Sequence, residues 1–128
     1  MSFENVLFSK EHEWIQVEAD SNVVTVGITD FASGELGDIV FIEFPEEGQE
    51  VKAMEPMGTI EAVKTVADLF SPVTGVIKEV NAALNDDPGL VNHSPYGEGW
   101  FVKIELADRG ELDGLMSKGE YDKMVGKE

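Results

Sequence analysis

Lys64 is the only cationic residue between Ala53 and Ile77, where the chain reads GTIEAVKTVADLFSPVTG over residues 58–75. An amine in that setting has two readings. It can be a solvated charge that discourages strand-to-strand association at a sheet edge, or a handle for covalent modification. Glu61 and Asp68 flank it and favour the ammonium ion, whereas a nucleophilic lysine needs the opposite bias. Other chemistries find little support in the sequence. The two histidines, His12 and His93, lack the spacing of a metal-binding pair. Asp86-Asp87-Pro88 does not continue as the alternating oxygen ligands of a calcium loop and reads as a turn. There is no glycine-rich phosphate loop, no G-x-S-x-G elbow and no cysteine. A self-contained enzyme needs an acid, base or nucleophile in a recognisable setting. With that list nearly empty, Lys64 becomes the leading candidate for function.

The elements around it read as strands. Segments 14–17 (WIQV) and 23–28 (VVTVGI), separated by a turn at 19–22, predict a hairpin. Further strands are expected at 38–44, 48–51, 57–63, 68–70, 76–80 and 100–106, with short connections that fit a barrel or sandwich rather than a parallel sheet with crossover helices. The pattern runs into Lys64 from Gly58 and resumes after Asp68, which places the lysine at or near an exposed hairpin tip. Gly27, Gly34, Gly37 and Gly75 read as backbone requirements at turns or bulges. Two capping-box spacings, Asp108 with Glu111 and Ser117 with Glu120, predict two short C-terminal helices. Leu112, Leu115 and Met116 would share one face of the first, and Tyr121, Met124 and Val125 one face of the second.

At 128 residues and 42% hydrophobic content, one packed domain is expected. The net charge of −17 argues against nucleic acid and anionic membrane surfaces. It fits a partner with a basic docking patch and equally a plain solubility role. No window approaches a membrane-spanning helix, and the N-terminal stretch has no targeting pattern, so a cytoplasmic location is expected.

Seven ordered blocks then carry a family resemblance: HEWI (12–15), GITDFA (27–32), LGDIVF (36–41), EAVK (61–64), SPVTG (71–75), EVN (79–81) and LVNHSPYGEGW (90–100). In these the chain resembles the H-protein family of the glycine cleavage system, over essentially its whole length. The resemblance implies a mainly β, lipoyl/biotinyl-type barrel-sandwich hybrid of two facing antiparallel sheets with short C-terminal helices. It further implies a single carrier domain over 1–128, with 107–128 as a helical flap. Lipoate would be joined by an amide to Lys64. The chain would be a non-catalytic, monomeric carrier. It would take the aminomethyl group of glycine from the pyridoxal-phosphate-dependent P protein to the aminomethyltransferase T protein, with reoxidation by the L protein, dihydrolipoamide dehydrogenase. Glu13 and Asp68 are implied as cleft residues for the loaded arm, and Glu61 as a contact for the lipoate ligase or lipoyl transferase that modifies Lys64. Glu35 stands where some members of the family carry a cleft-lining histidine.

Neighbouring families match less well. A biotin carrier resembles a pattern with methionine on both sides of its lysine, and here the neighbours are Val63 and Thr65. The lipoyl domains of 2-oxoacid dehydrogenases usually have Asp before the lysine and Ala/Pro-rich linkers, and neither is visible here. Ser94, Pro95, Tyr96 and Trp100 read as core and loop architecture. The alternative function is a lipoylated relay protein that donates lipoyl groups to 2-oxoacid dehydrogenase components.

Overall fold

The structure is a computed structural model and describes residues 3, 5–18 and 21–126. Among these, nine short strands build two antiparallel sheets. The larger runs in the order β1 (Val6–Phe8), β2 (Glu13–Gln16), β3 (Val23–Ile28), β9 (Val102–Leu106), β8 (Gly75–Val80) and β5 (Glu50–Val51). The smaller consists of β4 (Ile39–Glu43), β6 (Pro56–Ala62) and β7 (Val66–Phe70). β-Branched residues on alternate positions drive this pairing. Val24 and Val26 of β3 lie opposite Ile104 and Val102 of β9, and all four are buried. The main core lies between the sheets, with Ile15, Val24 and Ile104 from one meeting Ile42, Ile60 and Leu69 from the other.

Each of the eight strands expected from sequence corresponds to an observed strand, with ends within two residues. The hairpin of β2 and β3 forms, although Ala19 and Asp20 of its turn lie outside the described residues. Four elements were not foreseen. β1 is only three residues long and carries no alternation to read. α1 (Asp30–Leu36) is capped by Thr29, whose hydroxyl accepts from the Ala32 N–H at 3.1 Å, yet the glycines at 34 and 37 suggest a turn. Gly37, with φ +80°, ends that helix as a turn residue should, but Gly34 sits within it in open space and meets no backbone requirement. Gly27 is inside β3 and Gly75 is the first residue of β8. A Cβ on Gly27 would stand 2.7 Å from the Trp14 ring, and one on Gly75 would overlap the Glu105 carbonyl oxygen. α2 (Ala83–Asp86) and α3 (Leu90–His93) are single turns, so Asp86 closes a helix and Asp87 caps it.

The C-terminus differs in detail from expectation. Arg109–Gly114 is a 3₁₀ helix rather than an α-helix. Asp108 accepts from the Gly110 N–H at 2.8 Å, but Glu111 turns away from the expected box and accepts instead from the Thr74 N–H (2.7 Å) and hydroxyl (2.8 Å). The second box forms as expected and starts α4 (Lys118–Val125). α4 lies against β1, where Tyr121 stacks on Phe8 at 4.8 Å in a small second cluster with Val6 and Trp14. Val125 and Met116 join that cluster, Leu112 and Leu115 pack on the main core, and Met124 points to solvent. The SPY segment is architecture: Trp14 Nε1 donates to the Pro95 carbonyl at 2.9 Å, and the Tyr96 hydroxyl donates to Asp30 at 2.8 Å.

Candidate functional site

Lys64 sits in the bend between β6 and β7, exposed, at the tip of a hairpin. The tip is held from both sides. The Ala62 N–H donates to the Thr65 carbonyl at 2.8 Å, and the Val63 N–H donates to the Asp38 carbonyl at 2.9 Å, which ties the bend to the entry of β4. That entry is clamped in turn by Asn92. Its amide donates to the Gly37 carbonyl at 2.8 Å and its oxygen accepts from the Ile39 N–H at 3.0 Å. The amine is thus presented from backbone fixed by main-chain hydrogen bonds. Among the described residues the ion pairs are Lys103 with Glu79 and Lys118 with Asp122. Glu61 and Asp68 flank Lys64 in sequence without pairing to it. The hairpin explains why, because Glu61 and Asp68 lie back along the strands, and Asp68 is opposite Thr59 rather than the tip.

Beside the hairpin is a cleft of about 370 Å³. One wall is the β1–β2 turn and the start of β2, contributing Glu11, His12 and Glu13; another is α1, with Phe31, Ala32 and Glu35. Ala67, Asp68 and Leu69 of β7 supply the side nearest Lys64. Ala67 is the second residue of β7, so the cleft begins roughly 3 Å along the strand from its start, and Asp68 follows it. The structure therefore brings Glu13 and Asp68 together in one cleft and adds Glu35 at its rim. Glu61 is placed elsewhere, on the outer face of the small sheet with Phe41, Glu43 and Thr59.

Glu13 is the unusual group. Its side chain is 2% exposed, and burial pushes its carboxyl up to about 8 from an ordinary 4.5, against the opposing effect of the Ser9 hydroxyl, which donates to Oε1 at 2.6 Å. The Ser9 oxygen accepts from the Glu13 N–H at 3.1 Å, so the pair is locked. His12, one residue before, has φ +68°, a backbone region that non-glycine residues seldom occupy. Its Nδ1 is 2.7 Å from the Tyr121 hydroxyl, which is also 2.7 Å from Thr29 Oγ1. Burial lowers the His12 proton affinity, so a neutral ring accepting from Tyr121, with Tyr121 accepting from Thr29, satisfies all three. α4 thus reaches through Tyr121 to brace the cleft wall. Sequence reading missed His12, Ser9, Tyr121 and Asn92 as supports of the site. The HEWI and LVNHSPYGEGW blocks that contain His12 and Asn92 were the available signal.

The family model described as "Glycine cleavage H-protein" matches residues 6–128. The chain belongs to the glycine cleavage H-protein family. A glycine cleavage system H protein of Prosthecochloris aestuarii is 55% identical over 123 residues, covering 96% of both chains. One of Staphylococcus carnosus is 48% identical over 124 residues, covering 97% of both. The crystal structure of a glycine cleavage system H protein from Mycobacterium marinum superposes with a TM-score of 0.88 at 36% identity, covering 98% of this chain and 99% of that one. The two sheets are accordingly those of the H-protein barrel-sandwich hybrid, and the chain is a lipoyl carrier component of the glycine cleavage system.

Proposed function

We propose that this H-family chain carries lipoate in amide linkage on Lys64 and shuttles the aminomethyl group of glycine from the P protein to the T protein, with reoxidation by the L protein. The observation that carries the reading is an exposed amine on a hydrogen-bonded hairpin tip adjoining an acid-lined cleft. Lipoate would supply the sulfur chemistry. The chain's own residues present, shield and release. A tether raises the local concentration of its reactive end at each visiting enzyme without tight binding, which suits a small rigid scaffold. A cleft of about 370 Å³ gives the loaded arm a place shielded from bulk water.

Glu13 and Asp68 are the cleft groups that would face the cargo's amine. Asp68 is exposed at the rim and offers a solvated carboxylate. Glu13 is protonated at neutral pH while nothing cationic is near, and an arriving ammonium favours its ionised form. Glu11 and Glu35 add two further acids, Glu35 at the position where some members of the family carry histidine. Glu61, on the outer face, is the contact for the modifying enzyme. Residues 1–128 act as one monomeric, cytoplasmic carrier unit, with 107–128 as a flap, and the chemistry belongs to the partners.

The test is to incubate the unmodified chain with a lipoate ligase, lipoate and ATP, and to follow intact mass and the modified residue. A gain of one lipoyl group at Lys64, followed by glycine–bicarbonate exchange with a P protein, supports the reading. Modification without exchange, under conditions where another H protein works, would redirect it to lipoyl relay.

A further inference from the structure

The outer face of β4, β6 and β7 carries a second feature beside Lys64. Among the described residues six large apolar side chains are exposed, and four of them, Val40, Phe41, Val63 and Val66, gather at the tip end of the small sheet. Register explains the grouping. Phe41 lies opposite Glu61 and Glu61 opposite Val66, so the three form one row across three strands, with Glu43 and Thr59 as the next pair behind. An irregularity between Ile39 and Phe41 turns Val40 outward as well, where strict alternation would send one of two neighbours to the core. Phe41, Glu43, Thr59 and Glu61 bound a depression of about 130 Å³. β4 is an edge strand, and exposed apolar residues on an edge invite association. A second copy is a poor occupant, since each chain carries −17.

Geometry narrows the partner. Enzymes that act on the far end of a lipoyl arm can stand off by its length. The enzyme that makes the amide must bring an activated acyl carbon to the Lys64 Nζ itself, so its surface falls on whatever adjoins the tip. An aromatic and valines interleaved with Glu43 and Glu61, neither paired with a Lys or Arg among the described residues, complement an apolar patch edged by cations.

We propose that the Phe41–Glu61–Val66 row, with Val63 beside Lys64, is the docking surface for the enzyme that joins lipoate to Lys64. This rests on the reading of Lys64 as the attachment point. In that step the amine loses a proton and its nitrogen bonds to the acyl carbon of an acyl adenylate or acyl thioester. The bond to the phosphate oxygen or thiol sulfur breaks, its electron pair leaves with that group, and nothing is oxidised. The row supplies position only.

The experiment follows lipoylation of the unmodified chain by a lipoate ligase with lipoate and ATP, using intact mass against time. Phe41→Ala and Val66→Ser should each lower kcat/KM about tenfold, mainly through KM, while Met124→Ala, an exposed apolar residue on α4, stays within about twofold. Driven to full modification with excess ligase, both row variants should support glycine–bicarbonate exchange like wild type. If Lys64 is modified but both row variants are modified at the wild-type rate, the docking assignment is wrong and the attachment reading stands. If the wild-type chain gains no lipoyl group, or gains it on another lysine, both fall. If exchange drops as much as modification, the row serves the carrier partners instead and the assignment is overturned.

Discussion

Replacing Glu13 by Gln should stabilise the protein in alkaline solution and leave it nearly unchanged in acid. The folded chain pushes this carboxyl to about 8, whereas the unfolded chain returns it to its ordinary 4.5. Below 4.5 both states hold the proton and Glu13 contributes its full stability. Between 4.5 and about 8 the unfolded chain ionises while the folded chain stays protonated, so stability falls as pH rises; above 8 the loss is complete. At 1.36 kcal/mol per pH unit that interval amounts to about 5 kcal/mol. It is a ceiling, because water in the adjoining cleft would share the solvation of an ionised Glu13. A gain of at least ~2 kcal/mol for Glu13→Gln at pH 9 relative to pH 5 is the expected outcome. The amide oxygen can still accept from Ser9. The general self-repulsion of a −17 chain acts on both proteins and cancels in the difference. Urea unfolding read by fluorescence of the buried Trp14 gives the midpoints across pH, with m-values checked for constancy. Parallel stability curves for wild type and variant from pH 5 to 9 would refute the buried, protonated Glu13.

Lys64→Arg should unfold within about 0.5 kcal/mol of wild type, because the side chain is exposed and unpaired among the described residues, yet gain no lipoyl group by intact mass. Unfolding of that variant would contradict the tip placement. Asp68→Ala should be lipoylated at the wild-type rate but release a bound aminomethyl load to water faster, measured as formaldehyde and ammonia appearing without the T protein; an unchanged rate would make Asp68 a plain strand residue. Tyr121→Phe removes the hydroxyl between His12 and Thr29 and should cost about 1–3 kcal/mol in urea unfolding. A cost near zero would mean that water replaces it.

Lys64 could be placed on a hairpin tip from sequence because strand-like runs flank it on both sides, and pairing of those two neighbouring strands makes the bend, which the Val63 bond to Asp38 then ties to β4. The cleft was harder to read for a physical reason. Glu13, Phe31 and Asp68 come from three segments with 17 and 36 residues between successive members, so no short-range period relates them, and they meet only because β2 and β7 belong to different sheets. The support behind them is more distant still: Tyr121 sits 109 residues from the His12 it bonds. α1 was missed because Gly34 and Gly37 suggest a turn, although Thr29 does two jobs there, capping the helix and donating to the Tyr121 hydroxyl. Glu111 shows the converse error. Its spacing from Asp108 matched a capping box, yet Thr74, 37 residues away, offers two donors in the folded chain and wins the carboxylate. Local spacing names the groups able to cap, bond or be modified. Which of them do so is decided by strands that bring partners from the other end of the chain, and the cleft beside Lys64 is where most of those long-range decisions converge.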